Sequence, residues 1–183
     1  MEILEQTRIQ FHHKYLKKEL PAQPIKRSSV FLENAKTVGI LFDATLLEER
    51  SVALAFIERL KKEGKKVKLL GFFNEKLKST DFAFTHFDKN QLDWIYRPKN
   101  EDAKSFANQS FDLMINLSKK TILPLDYIAA LSKAKFRVGP FTENIFCYDL
   151  MIDHNEEKGL TAFLKEVLHY LKKMQSIREP ALV

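Results

Sequence analysis

Glycine and cysteine are scarce in this chain, and each shortage excludes a class of protein. Only five glycines are present, and none lies in the acidic loop Asp43-Ala44-Thr45-Leu46-Leu47-Glu48-Glu49, which follows the first apolar segment. Nucleotide-binding folds use glycine at this turn to bring backbone N–H groups close to a phosphate. The sequence therefore lacks the usual phosphate-binding turn. The single cysteine, Cys147, excludes an intramolecular disulfide and indicates a reducing compartment.

Long apolar segments are also missing. No run approaches the length of a membrane span, and the N-terminal segment MEILEQTRIQFHHKYLKKEL carries charges throughout and no apolar signal core. We therefore expect a cytoplasmic location and no membrane span.

The 30 basic and 24 acidic residues leave a net charge of +6, which aids solubility without identifying a polyanionic partner. Because the sequence has no recognition helix or RNA-binding signature, we do not expect it to bind nucleic acid.

A strand–helix–strand unit between Thr37 and Phe73 indicates the fold class. Two continuous apolar runs, Val38–Phe42 and Val67–Phe73, are typical of strands that are covered on both faces. The segment between them has apolar residues at helical spacing, and Thr45 with Glu48 predicts a capping box at the start of that helix. Two strands joined by a helix in this way form a parallel pair.

Strands and helices continue to alternate after this unit. The pattern predicts an α/β fold, a Rossmann-like or flavodoxin-like three-layer sandwich with a mainly parallel sheet of five or six strands and an extra N-terminal helix. The further predicted strands are a short one near Trp94–Tyr96, then Phe111–Leu117, Phe136–Gly139 and Tyr148–Ile152, and the further predicted helices are Glu101–Asn108, Pro124–Ser132 and Glu156–Met174.

The chain divides into three expected parts: a helical arm and linker over residues 1–36, a single α/β domain over residues 37–175, and a frayed tail over residues 176–183. In the arm, Leu4, Phe11 and Tyr15 form an apolar stripe that Leu16 and Leu20 widen. We expect this stripe to pack on the domain or on a second subunit.

The basic residues of the arm offer a different interpretation, in which it contacts a membrane surface or a nucleic acid. We disfavour it because the acids Glu2, Glu5 and Glu19 interrupt the basic face. The basic residues in question are Arg8, Lys14, Lys17, Lys18, Lys26 and Arg27.

Polar residues follow several of the predicted strands. Ligands of parallel sheets bind beyond the carboxyl ends of the strands, near the point where strand order reverses. We therefore take six of these residues as candidate ligand-binding residues, with Gly139 and His154 close by. The six are Asp43, Asn74, Asn116, Ser118, Lys119 and Asp153.

Asp43 lies where phosphotransfer and dehalogenase-like enzymes hold a nucleophile or a Mg²⁺ ligand. The dehalogenase pattern needs a second aspartate two residues later, and Thr45 stands there. We favour the simpler alternative, in which Asp43 hydrogen-bonds its own turn. The segment Asn116-Leu117-Ser118-Lys119-Lys120 has groups that suit a phosphate or a sugar, and it equally suits an ordinary polar loop.

Catalytic and metal-binding patterns are not apparent. Cys147, Asp153 and His154 include the residue types of a cysteine nucleophile site, but Cys147 lies in an aromatic run typical of inert packing. His12 and His13 are adjacent, so a helix would point them in different directions, and no metal-ligand spacing appears. We predict no catalytic residue, no metal and no cofactor, and we disfavour an enzyme without excluding one.

Several blocks of the sequence resemble a bacterial family of small stand-alone α/β proteins of unknown function. They are KYLKKEL, TVGILFDAT, FDLMINLSKKTILPLDYIAALSKAKFRVG and YDLMID. The resemblance covers nearly the full chain and implies no known activity.

A second resemblance is local. Phe111-Asp112-Leu113-Met114-Ile115-Asn116-Leu117 and Ala134-Lys135-Phe136-Arg137-Val138-Gly139 are similar to two strands in the N-terminal half of heptosyltransferase-type glycosyltransferases. The similarity implies a Rossmann-like fold for this segment. Those enzymes need a second Rossmann-like half to bind the nucleotide sugar, and this sequence leaves no room for one. We therefore do not expect transferase activity from this chain alone.

Two functions remain open at this point. The first is a non-catalytic cytosolic domain that acts by contact with an unknown protein partner or with a second copy of itself, helped by the N-terminal helix. The alternative is a binding protein or enzyme for a small phosphorylated or sugar-like ligand, with its site at the carboxyl ends of the strands.

Overall fold

The computed structural model, which describes residues 2–20, 27, 28, 30–77 and 81–178, is built of both strands and helices. The strands are β1 (Thr37–Asp43), β2 (Lys66–Phe73), β3 (His86–Asp88), β4 (Leu113–Leu117), β5 (Phe136–Pro140) and β6 (Leu150–Ile152). The α-helices are α1 (Glu2–Glu19), α2 (Leu47–Lys62), α3 (Glu101–Asn108), α4 (Leu123–Leu131) and α5 (Gly159–Arg178), with short 3₁₀ helices at Lys89–Gln91 and Glu156–Lys158.

The six strands form one parallel sheet in the order β3-β2-β1-β4-β5-β6. The prediction of a three-layer α/β fold with an N-terminal helix is confirmed. Of the two predicted variants, this order is the Rossmann order and not the flavodoxin order. Strand order reverses between β1 and β4, where Val38 is in register with Leu113. A ligand site of this fold would lie at the carboxyl end of that pair.

The central strand β1 is buried on both faces because its residues alternate between two cores. Ile40 and Phe42 pack in the core beneath α2 and α5. Leu41 packs in the opposite core, beneath α3 and α4, with Leu125 and Phe106. This double coverage explains why β1 is a continuous apolar run in the sequence.

The predicted capping box at the start of α2 does not form. The N-cap residue is Leu46, which has no side-chain cap. Thr45 lies one residue too early, and its Oγ1 donates to Asp43 Oδ1 at 2.6 Å instead. The first turn of α2 still carries Glu48 and Glu49, whose charges favour the positive end of the helix dipole.

The predicted strand near Trp94–Tyr96 is wrong, and the third strand along the chain lies earlier, at His86–Asp88. Residues 93–97 form a turn because the Asp93 carboxylate accepts hydrogen bonds from the backbone N–H groups of Ile95 and Arg97, at 3.0 and 2.9 Å. Tyr96 takes a φ of 65° in this turn, a value that an extended strand does not allow.

Parts of the predicted linker and tail lie outside the described residues. Arg27 is described, and its guanidinium donates to the carbonyl oxygens of Ser132, at 3.0 Å, and Ala134. At the other end, α5 extends to Arg178, four residues beyond the predicted end of this helix at Met174.

Arg137 joins α4, β5 and the approach to β6. Its Nε and Nη2 atoms donate to the two carboxylate oxygens of Asp149, at 3.1 and 3.0 Å. Its Nη1 donates to the carbonyl oxygens of Ala129, Ala130 and Phe146. Two of these carbonyls belong to the last turn of α4. Ala129 also accepts a hydrogen bond from the backbone N–H of Ser132, and Arg137 supplies a donor to Ala130. The buried guanidinium therefore holds three elements together.

We expect the substitution Arg137→Met to lower the free energy of unfolding by about 3–5 kcal/mol, because it removes the ion-pair partner of Asp149, whose side chain is 18% exposed, and leaves this carboxylate with only the backbone N–H of residue 137 as a hydrogen-bond partner among the described residues. The matched control is Arg59→Met, which breaks an exposed ion pair with Glu63 and costs less than about 1 kcal/mol. Urea unfolding of both variants measures the difference. Equal losses in the two variants would contradict this role for Arg137.

Candidate functional site

The six candidate ligand residues all lie at the carboxyl edge of the sheet. Asp43 ends β1, Asn74 follows β2 and Asp153 follows β6. Asn116 lies in β4, in register with Leu41 of β1, and Ser118 and Lys119 come directly after this strand. Parallel strands bring these positions to one edge, but the side chains differ in what they contact.

Asp43 and Asn74 take part in contacts that fix the exits of β1 and β2. Asp43 Oδ1 accepts from Thr45 N at 3.0 Å and from Thr45 Oγ1. The same Thr45 hydroxyl accepts from Asn74 N at 2.8 Å. Asp43 therefore hydrogen-bonds its own turn, as the simpler interpretation of the sequence expects, while the Asn74 residue is exposed.

Asn116 and Ser118 are fully buried, in a chain of side-chain hydrogen bonds. Ser118 Oγ donates to Asn116 Oδ1 at 2.7 Å, and Asn116 Nδ2 donates to Tyr148 Oη at 2.6 Å. Tyr148 Oη in turn donates to Asp126 Oδ1 at 2.5 Å. The Asn116 amide and the Ser118 hydroxyl are therefore directed to partners inside the domain.

Asp126 is the last residue of this series of hydrogen bonds, and it is a residue that the sequence did not lead us to expect here. Burial raises the pKa of its carboxyl group to about 7, and the hydrogen bond from Tyr148 offsets only part of this effect. Its second oxygen, Oδ2, has no hydrogen-bond partner among the residues that the structure describes. The only indication in the sequence is an acid within the apolar segment LPLDYIAAL, which folds as the helix α4.

Cys147 lies near the Asp126 carboxyl group and is fully buried. Burial raises the pKa of its thiol, and the nearby Asp126 charge adds to the shift. A thiol with a raised pKa stays protonated at neutral pH, which makes it a poor nucleophile.

Lys119 forms an ion pair at the point where strand order reverses. Its Nζ lies 2.6 Å from Oε1 of Glu49, and both side chains are largely buried. Glu49 belongs to the first turn of α2, the position at which nucleotide-binding folds hold a phosphate. The chain therefore supplies its own anion there. A cleft of about 490 Å³ adjoins the pair and is lined by ten residues that include Glu48, Lys158 and Thr161.

Lys119 and Asp153 are the two candidate residues that line one common cleft. It has a volume of about 300 Å³ and lies beyond the ends of β4, β5 and β6. His154 also lines it, although its imidazole is fully buried and its Nδ1 lies 2.9 Å from Glu166 Oε2. Among the described residues, no group of three or more His, Cys, Asp or Glu side chains is placed to hold a metal ion.

The N-terminal helix packs on the domain through only part of the predicted stripe, at Leu16 and Leu20, and through His12. His12 and Leu16 are 1% exposed, whereas Phe11 and Tyr15 are 38% and 40% exposed and Leu4 is 65% exposed. The predicted stripe of Leu4, Phe11 and Tyr15 therefore lies on the outside. Trp94, itself 55% exposed, lies beside it with its ring centroid 5.5 Å from that of Phe11. We refer to the exposed residues Ile3, Leu4, Phe11, Tyr15 and Trp94 as the α1 face.

Polar contacts with residues 93–97 explain this rotation of α1. His12 Nδ1 lies 2.7 Å from the carbonyl oxygen of Ile95, and Arg8 Nε donates to the carbonyl oxygen of Trp94 at 2.5 Å. The acids of the helix contribute as well. Glu5 accepts from Tyr96 Oη, and Glu19 accepts from Arg97 at 2.6 Å and from Tyr127 Oη.

The chain belongs to a protein family of unknown function, DUF6913, whose model matches residues 8–174. This confirms the resemblance to an uncharacterised family, while the local resemblance to heptosyltransferases stays a prediction. No curated protein and no solved structure gave a significant match. None of the helices within the described ranges is long and apolar enough to cross a membrane.

We expect the buried Asp126 to make stability depend on pH. Between its ordinary pKa of 3.8 and its raised value of about 7, the carboxyl group is protonated in the native state and ionised in the unfolded state. The unfolded state then binds fewer protons, so the free energy of unfolding falls as the pH rises through this range, by up to about 4 kcal/mol.

The variant Asp126→Asn keeps the shape of the side chain and removes its titration. Urea unfolding of both proteins between about pH 4 and pH 8 gives the difference in stability, in which other titrating groups cancel. We expect wild type to lose stability relative to the variant as the pH rises. A difference that stays constant across the range would show that Asp126 is not held as a neutral acid.

Proposed function

We propose that this domain acts by binding another protein through the α1 face. The observation that carries the proposal is a group of five large apolar side chains that lie exposed on a helix and a neighbouring turn. Contiguous apolar patches rimmed by polar residues on a soluble domain mark interaction sites. Three of the five are aromatic, the residue class most enriched in protein interfaces.

The carboxyl edge of the sheet supports a role away from the usual ligand site. Asp43, Asn116 and Ser118 hydrogen-bond within the domain, and Lys119 pairs with Glu49. A ligand would have to displace these internal partners before it gained any contact. Such displacement weakens binding, because each broken contact leaves a polar group that needs a new partner.

A small polar ligand in the cleft beside Lys119 and Asp153 is a second candidate. The observation in its favour is that Lys120 and Thr121 line the same 300 Å³ space, so cationic and hydroxyl groups converge there. Thermal-shift measurements with nucleotides, sugar phosphates and Mg²⁺ test it. A saturable shift that Lys120→Ala and Asp153→Ala both remove would favour this candidate, and no shift with any of these compounds would eliminate it.

Photo-cross-linking tests the proposed function directly. We expect the full chain with p-benzoylphenylalanine at position 11, expressed in the cells from which the sequence comes, to form discrete adducts with another protein. Phe11 lies at the centre of the α1 face, so a bound partner would lie within reach of its ring. Gel electrophoresis of the cross-linked protein detects the adducts.

The control is the same substitution at Tyr170, an exposed aromatic residue on α5. Adducts at position 11 that are missing at position 170 support contact through the α1 face. Equal yields at both positions, or adducts at neither position, would contradict it.

A further inference from the structure

We infer that the partner of the α1 face presents an acidic amphipathic helix. This inference rests on the proposed function and adds the chemistry of the partner to it. Three features of the described residues lead to it: where the acids of α1 lie, where its lysines lie, and how the apolar residues are spaced.

The acids Glu5 and Glu19 are engaged with the domain. Glu5 accepts a hydrogen bond from Tyr96 Oη, and its Oε2 lies 3.4 Å from Arg8 Nη1. Glu19 Oε1 lies 2.6 Å from Arg97 Nη1, and its other carboxylate oxygen accepts a hydrogen bond from Tyr127 Oη. In the sequence these acids interrupt the basic residues of the helix, but in the fold Glu19 pairs with Arg97 of the body of the protein, and Glu5 pairs with Arg8 of α1 and accepts a hydrogen bond from Tyr96.

The lysines of α1 are placed differently. Lys14, Lys17 and Lys18 are exposed, next to the apolar residues Phe11 and Tyr15. Lys18 Nζ lies 5.5 Å from the centroid of the Tyr15 ring. The α1 face is therefore bordered by positive charge, and an acidic partner would complement it.

The spacing of the apolar residues suits a helix. Leu4, Phe11 and Tyr15 are seven and four residues apart, so they form one row along α1 that is about 17 Å long at 1.5 Å per residue. Trp94 borders this row from the neighbouring turn. A second helix packed along such a row contributes one apolar side chain per turn, the usual pattern of helix recognition.

Two other occupants fit less well. A second copy of this chain would bring the same lysines to the interface, and the net charge of +6 on each copy would oppose the contact. A membrane surface suits a helix with one broad apolar side and an opposite polar side. In α1 the buried Leu16 faces the domain, and the exposed apolar row is narrow.

Binding of a synthetic peptide tests the inference. The probe is a fluorescein-labelled peptide of about three heptads, with leucine at positions a and d and with glutamate and alanine elsewhere. We expect saturable binding to the full chain by fluorescence anisotropy, with an affinity that falls as the salt concentration rises. A peptide of the same composition, shuffled so that its leucines no longer share one face, should bind at least tenfold more weakly.

Two variants locate the binding. Phe11→Asp removes the central aromatic contact, and the double change Lys14→Glu and Lys18→Glu reverses the charge beside it. We expect each to weaken binding by about tenfold or more, the size typical of central interface residues. The matched control, Lys165→Glu with Lys172→Glu on α5, makes the same charge change on another helix and should alter the affinity less than about twofold. Circular dichroism checks that each variant is folded.

No saturable binding, equal binding of the shuffled peptide, or equal weakening by the control variant would overturn the inference. So would Phe11-dependent binding to vesicles of phosphatidylglycerol and phosphatidylcholine without peptide binding, which would identify a lipid surface. A Phe11-dependent dimer in sedimentation equilibrium would identify a second copy.

If cross-linked adducts form at position 11 while the peptide does not bind, the proposed function stands and the inference of an acidic helix is wrong. If both fail, both are wrong.

Discussion

The contact between His12 and the turn at residues 93–97 sets the orientation of α1, and the exposed surface depends on that orientation. His12 is buried, and burial lowers the pKa of its imidazole, with the Ile95 carbonyl opposing the shift. A carbonyl oxygen can only accept a hydrogen bond. Nδ1 therefore carries the proton of the neutral imidazole and donates a hydrogen bond to the carbonyl oxygen of Ile95. Asp93 shapes the turn that presents this carbonyl. Because His12 and Leu16 face inward, Phe11 and Tyr15, each one residue earlier, are turned about 100° away from the buried side.

At the carboxyl edge of the sheet, internal contacts occupy several of the positions at which Rossmann-type folds contact their ligands. Glu49 provides a carboxylate where a phosphate would lie, and Lys119 pairs with it. Thr45, which follows β1, accepts a hydrogen bond from Asn74 N, which follows β2. Tyr148 Oη accepts a hydrogen bond from the Asn116 amide. Internal groups therefore engage most of these polar side chains, while Asp126 Oδ2 has no hydrogen-bond partner among the described residues. The order of strands is a property of the fold, and function depends on the side chains placed on it.

Local patterns in the sequence were sufficient for most of the elements. The continuous apolar run of β1 and the periodic residues of α2 indicate their structures without distant information, and α3 has the predicted bounds Glu101–Asn108. The inward position of His12, which turns most of the predicted stripe outward, was not predictable, because His12 meets a carbonyl 83 residues away. The aromatic residues around Trp94 resemble a strand, but the Asp93 carboxylate folds them into a turn. Asn116 and Ser118 were placed at the correct edge, yet their burial depends on Tyr148, 32 residues after Asn116.

Acrylamide quenching of tryptophan fluorescence tests the central claim most directly, because Trp94 is the single tryptophan of the chain and lies in the α1 face. The exposed indole of the purified full chain should emit at long wavelength and be quenched efficiently, to the same extent at low and high protein concentration. Emission at short wavelength that resists acrylamide would show that the indole is covered in the isolated protein. In that case the α1 face is not an open binding surface.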